Sequence, residues 1–220
     1  MKFWSQPIRV FCFHHVSDVF DAESMWECDW MSTNDFKTQI ESLQKEYTFI
    51  SLSEARDKLK YDIIRRKKHA VLTADDGWSS IMNVLPWLTE QNIPITLFIN
   101  PLYLDGIHKQ EREAERLLTK EELNKIVQAY PNVSIASHGW SHIDTTKLDV
   151  KEFENNMLKA EDVLSQLSCK VPFYAFTYGK SKKEHIGILH KHHLIPVLID
   201  GNVNTRFDGL IHRETLDKSE

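Results

Sequence analysis

The chain has 220 residues, 41% of them hydrophobic, and a formal net charge of −5. That length and apolar content suit one sizeable packed domain and exclude a disordered chain. The acidic balance gives no nucleic-acid stripe, and no apolar run approaches the roughly 18 residues of a membrane span.

Three cysteines, Cys12, Cys28 and Cys169, lack CxxC spacing. They argue against a disulfide framework or a Cys-based zinc site and fit a reducing compartment. The opening residues MKFWSQPIRVFCFHHV are interrupted by Pro7, Arg9 and two histidines. They read as no signal peptide, so a cytoplasmic protein is expected, with secretion the alternative if a leader has been removed.

Taken in order, Ile8 to Phe13 is a first buried strand ending at His14-His15, with Cys12 in the core. An acidic, Trp-containing loop covers Ser17 to Ser32. Phe36, Ile40 and Leu43 have helical spacing. Thr48 to Ile50 is a short strand, and Ser51 with Glu54 opens a helix as a capping box. Arg65-Arg66-Lys67-Lys68 reads as a solvated loop before the next strand. That strand, His69 to Ala74, is followed by Asp75-Asp76-Gly77: two carboxylates at its end and a glycine that permits the turn away. Ile81 to Gln91 is a helix with Met82, Leu85 and Leu88 facing the core, and Pro94 to Ile99 is a strand.

Pro101 to Leu118 is a polar connection, a candidate lid or groove wall. Thr119 with Glu122 caps a helix to Ala129, and Val133 to Ala136 is a strand ending at Ser137-His138. Asp149 with Glu152 caps a long helix to about Leu167. Phe173 to Phe176 is a strand ending in Tyr178-Gly179. Ser181 with Glu184 opens a helix to His190, Leu194 to Ile199 is a strand, and Leu210-Ile211 is a candidate last one. Strands alternate with helices and no linker divides the chain, which predicts parallel strands with helical crossovers. Polar residues gather at the strand ends (His14, Asp75, His138, Tyr178), which favours a (β/α) barrel over an open sheet.

Three constellations carry chemistry. Asp75-Asp76 offers two carboxylates. His138 and His142 offer two imidazoles at the same end of the predicted strands; with 11 histidines in the chain the spacing is unselective, and the placement carries the weight. One carboxylate and two imidazoles suit a divalent ion used as a Lewis acid. Phe173 to Gly179 is an aromatic strand whose end can aim a backbone N–H near Tyr178 at an oxyanion. His185, His190, His192 and His193 read as a solvated helix face. Trp78 and Trp140 flank the motifs as candidate sugar-stacking rings or core residues.

Together these motifs resemble the NodB-like polysaccharide deacetylases. Thr73 to Gly77 is similar to the family's T-F-D-D-G, His138 to His142 to its H-[ST]-x-x-H or a close variant, and Tyr174 to Gly179 to its F-A-Y-P-Y-G. Phe13 to Val16 is similar to its opening Y-H-x-V. The resemblance runs from about residue 9 to about residue 200. It implies α/β architecture, a single distorted (β/α)7 barrel over residues 1–220, and metal-dependent removal of an N-acetyl group from a carbohydrate. Asp76, His138 and His142 are the implied ligands of a divalent ion, zinc foremost, with cobalt, nickel or manganese as alternatives. Asp75 is the implied base, and the backbone N–H of Tyr178 the implied oxyanion donor. The acid is His14, with Arg213 the partner of Asp75, or alternatively His212 in an L-x-H segment. His15 is structural in the first of these readings. Ala74 and Thr177 replace the usual Phe and Pro, the second expected to loosen the oxyanion turn, and Ala175 stands where some members carry Arg. Two other functions remain open: a carbohydrate-binding member without turnover, and a hydrolase of another C–N bond.

Overall fold

Ile8 and Val10 face one way along the first strand, while Phe11 and Phe13 face the other. Both sets are buried, so the strand has apolar partners on each side. The same division repeats along the chain. Val71, Phe98, Ala136, Phe173, Ala175, Val197 and Ile211 join Ile8 and Val10 in one cluster. Leu72, Ile95, Leu97, Ile99 and Ile135 join Phe11 in another, against Phe36, Ile40, Leu85, Leu88, Leu123 and Ile126 from helices. The first cluster lies inside a ring of strands and the second between ring and helices.

The structure, a computed structural model, describes residues 5–19, 30–61, 66–106 and 116–216. Its elements are β1 (Ile8–Phe13), β2 (His15–Val16), β3 (Trp30–Met31), α1 (Thr33–Gln44), β4 (Thr48–Phe49), α2 (Leu52–Lys60), β5 (His69–Ala74) and α3 (Leu85–Glu90). They continue with β6 (Ile95–Ile99), α4 (Lys120–Ala129), β7 (Val133–Ser137), α5 (Val150–Leu164), β8 (Lys170–Ala175), α6 (Lys183–Lys191), β9 (Ile195–Ile199) and β10 (Ile211–Thr215). Strands β5 to β10 pair in sequence order, and β1 closes the ring between β10 and β5. All seven contacts are parallel, giving a closed seven-stranded barrel with helical crossovers. β4 stays outside the ring and pairs only with His69 and Ala70 of β5.

Helix starts follow the capping signals where the side chains reach. Thr119 and Glu122 form a reciprocal box at α4, and Asp149 and Glu152 do so at α5. At α6 the Ser181–Glu184 pattern is not used, because Lys182 occupies the cap position and its side chain does not cap the helix. The helix expected over Ile81 to Gln91 is split. Residues Ser79–Asn83 form a 3₁₀ turn, and Val84, at φ −120°, breaks the phase before α3. That break leaves Met82 39% exposed and buries Ile81 and Val84 instead. The final strand is longer than Leu210-Ile211 suggested, and β8 begins three residues before Phe173. His185 is not on a solvated face: it is fully buried and stacks on Phe153, ring centroids 4.2 Å apart. Cys28, Arg65 and residues 107–115 of the Pro101–Leu118 connection lie outside the described residues.

Candidate active site

The inward alternation of the core continues into polar residues at the C-terminal end of the ring. On β1 the series Ile8, Val10, Cys12 leads to His14. On β5, Val71 and Thr73 lead to Asp75, and on β10, Ile211 leads to Arg213. Period-two geometry therefore delivers these groups to one mouth without any special device. Asp75 and Arg213 meet there, both out of solvent. Arg213 Nη1 donates to Asp75 Oδ1 at 2.7 Å and Nη2 to Oδ2 at 2.8 Å. Nη1 also reaches Thr73 Oγ1 at 3.0 Å, and that hydroxyl donates to the Phe11 carbonyl at 2.8 Å. The guanidinium lies over the Phe98 ring, 5.0 Å from its centroid. Burial by itself would push the Asp75 carboxyl up. The adjacent Arg213 charge and its hydrogen bonds outweigh that and hold it at about 2.

Asp76 breaks the alternation. If the strand continued, it would point outward, but its φ of 71°, followed by 81° at Gly77, turns the chain. Asp76 Oδ1 lies 3.3 Å from His138 Nε2 and 3.2 Å from His142 Nε2. It is a buried carboxylate oxygen without a hydrogen-bond partner among the described residues. Two donors each about 2.1 Å from one ion, at angles near 90–110°, sit roughly 3.0–3.4 Å apart, so the spacing fits a shared divalent cation. His138 Nδ1 lies 2.9 Å from the Ala175 carbonyl. A carbonyl only accepts, so Nδ1 carries the proton and Nε2 keeps its lone pair for a metal. Burial opposes ionisation of Asp76 as well, and the two imidazoles overcome it, holding the carboxyl well below the usual range.

Supporting residues fix this group. Trp78 Nε1 donates to Asp76 Oδ2 at 3.1 Å, and the Trp78 ring packs on His15 at 4.0 Å. Trp78 is thus a buried brace for Asp76, which leaves it no open face for a sugar. Asn100, at the end of β6, donates to the carbonyls of His138 and Gly139 at 2.5 and 3.1 Å. Tyr103 accepts from the His142 N–H at 3.3 Å. Trp140 donates its backbone N–H to Asn156 Oδ1 of α5, and its ring lies under Lys159 Nζ, 4.0 Å from the centroid. Asn100 and Tyr103 were not picked out from the sequence; the one signal was a polar residue, Asn100, closing the apolar run of β6.

The remaining candidates separate. The donor atoms of His14, Cys12 and Asp75 lie within 4.8 Å of one another. Arg213 already occupies both Asp75 oxygens, and its charge opposes a cation there. His212 is next to Arg213 on β10 and so faces the other way. Its Nδ1 pairs with Asp200 at 2.7 Å and its Nε2 lies 3.6 Å from Asp208, so it is not brought to the Asp75–Asp76 mouth. Tyr178 sits beyond β8 with its ring 4.5 Å from His142 and half exposed.

A family model described as polysaccharide deacetylase matches residues 63–197. No curated protein sequence matches the chain. Among solved structures, IcaB from Ammonifex degensii superposes with TM-score 0.81 at 20% identity, over 96% of this chain and 92% of that one. PplD from Streptococcus pyogenes, in complex with acetate, gives 0.79 at 18% identity, over 98% and 94%. A de-N-acetylase from Aggregatibacter actinomycetemcomitans gives 0.76 at 17% identity, over 98% and 97%. These structures share the barrel, and the family match spans more than half of the sequence: the chain belongs to the polysaccharide deacetylase family.

Proposed function

We propose that the protein is a hydrolase that removes acetyl groups from N-acetylated sugar units of a polysaccharide or glycoconjugate. The observation that carries this reading is the division between adjacent acids. Asp75 is locked by Arg213, while Asp76 is turned onto two imidazoles. One structural relative was solved with acetate and another is named a de-N-acetylase, which supports the same class.

Asp76, His138 and His142 would hold a divalent cation, with zinc the first choice for this mixed N/O donor set. A divalent cation bound there supplies Lewis acidity, polarising the amide carbonyl and acidifying a water. Asp75 would take the proton of the attacking water. Each of its oxygens keeps a lone pair beyond the Arg213 bond, so the clamp aims the carboxylate without consuming it. A carboxylate held near 2 is a weak base. It is ionised at neutral pH, yet it needs an acidified water to act. His14, close to Asp75, would protonate the departing amine, and the Tyr178 N–H would donate to the oxyanion.

The test is acetate release from a panel of N-acetylated oligosaccharides by zinc-loaded protein. Asp75→Asn should abolish release while zinc content stays unchanged. Zinc lost together with activity would show that the roles of the two acids are exchanged. No acetate from any N-acetylated sugar would sink the reading.

A further inference from the structure

Thr177 stands where the family resemblance puts proline, and it is fully buried. Its hydroxyl donates to the carbonyl of Ile143, the residue after His142. Three further contacts join the same two segments. Thr145 Oγ1 donates to the Lys180 carbonyl at 3.2 Å, Lys180 Nζ lies 3.1 Å from Asp144 Oδ2, and the Tyr178 hydroxyl reaches the His142 carbonyl at 3.5 Å. Between these ties the backbone is strained. Tyr178 has φ 58° and ψ 14°, a left-handed conformation. A bulky side chain pays about 1–2 kcal/mol for it, and it persists only where its surroundings impose it.

We propose that the Thr177 hydroxyl is a positioning group: it ties the turn carrying Tyr178 to the loop carrying His142, so that the two keep one fixed relation. Thr177 and Thr145 both reach across from fully buried side chains, and of these two bonds the Thr177 bond is the one that starts beside Tyr178 and ends beside His142. The Lys180–Asp144 pair is solvated and weak, and the Tyr178 contact is long. Thr177 and Ile143 are 34 residues apart, so nothing local can replace the bond. Valine has the shape of threonine but no donor. It would cut the bond to the Ile143 carbonyl, and because Ile143 is itself 37% exposed the freed loop would turn that carbonyl to water. A proline could stiffen the turn but could not reach across to the loop.

The consequence for turnover rests on the deacetylase reading; the consequence for loop order does not. The test compares wild type, Thr177→Val, Thr177→Ser and Lys180→Met by amide hydrogen exchange over residues 141–146 in chelator-treated protein. Zinc affinity, and kcat and KM on an N-acetylated oligosaccharide, follow. In Thr177→Val, exchange should be about tenfold faster and zinc binding about tenfold weaker. Its kcat should fall about 10- to 100-fold with KM within about threefold, as for a slightly misplaced site. Serine should restore every readout. Lys180→Met, a surface change, should speed exchange about two- to threefold, consistent with a weak exposed tie. A folded Thr177→Val with wild-type exchange and zinc affinity overturns the proposal. If that variant fails to fold, Thr177→Ala is set against Thr177→Ser instead, and equal exchange over residues 141–146 in the two overturns it. Altered exchange in a chain that releases no acetate would leave the tie standing and remove the deacetylase reading.

Discussion

Arg213 and Asp75 meet through two parallel hydrogen bonds, 2.7 and 2.8 Å long, across 138 residues of chain and without solvent contact. Each ion is the other's main compensation for lost hydration. Replacing Arg213 by Met would strand a buried carboxylate, which costs about 3–5 kcal/mol. Urea unfolding should register that loss, and activity should disappear with it. Arg213→Lys keeps the charge but loses the planar fork, and should fall between wild type and Arg213→Met in both measurements.

The same pair sets an acid limit. Asp75 is held at about 2 in the folded chain, against an ordinary value of 3.8. A lowered value means that the native state favours the ionised form. The stabilisation is complete above the ordinary value and is lost as pH falls from about 4 through about 2, at roughly 2 kcal/mol in total. In chelator-treated protein, stability plotted against pH should slope through that window. Asp75→Asn should flatten the slope, and an unchanged slope would assign it to other carboxylates.

Trp78 acts on Asp76 at one remove. Trp78→Phe keeps an aromatic ring beside His15 but deletes the donor to Asp76 Oδ2. Losing such an outer partner typically weakens metal binding about 10- to 100-fold. Competition with a chromophoric chelator would measure it, and equal affinity would make the bond incidental.

Gly139 follows His138 with φ 79°, and a Cβ there would lie 2.9 Å from the Tyr174 hydroxyl and 3.0 Å from Asn156 Oδ1. Gly139→Ala therefore combines about 1–2 kcal/mol of left-handed strain with a clash against two packed groups. The melting temperature should fall by roughly 5–10 °C, as expected for a loss of about 2–3 kcal/mol in a chain of this size.

The two candidate acids can be told apart. His14→Ala should cut deacetylation at least about 100-fold with zinc still bound, as for removal of a general acid. His212→Ala should leave turnover within about twofold and cost at most about 1 kcal/mol, since it breaks a partly solvated pair with Asp200. The reverse pattern would transfer the acid role to His212.

Strands buried on both faces were legible as short continuous apolar runs, and the polar residues that close those runs, His14 and Asp75, marked the mouth of the barrel. Arg213 was picked out by the family resemblance alone. The capping pairs Thr119–Glu122 and Asp149–Glu152 were equally readable, being local. What failed needed information from across the fold. Ser181–Glu184 has the box pattern but not the geometry. Met82 was placed inward by a helical period that the break at Val84 interrupts. His185 is buried by Phe153, from a different helix. Trp78 was open as a sugar platform or as core, and burial decides for core; its bond to Asp76 stayed hidden because it depends on a left-handed backbone that no spacing rule encodes. Thr177 looked like a loosened turn because its partner, Ile143, lies in another loop.

The ring is closed by β1 lying between β5 and β10, so the first and last strands of the barrel are neighbours. A chain growing from its N-terminus can pair β1 with β5 early, but the Asp75 carboxylate has no counter-ion until β10 docks. Until then a buried negative charge faces an open seam, which itself disfavours premature collapse. Closure of the barrel and completion of the base are thus one event, and a barrel arrested before that event should be inert as well as unstable. In refolding experiments, activity should return with the slowest structural phase, the one that seals the longest loop of chain.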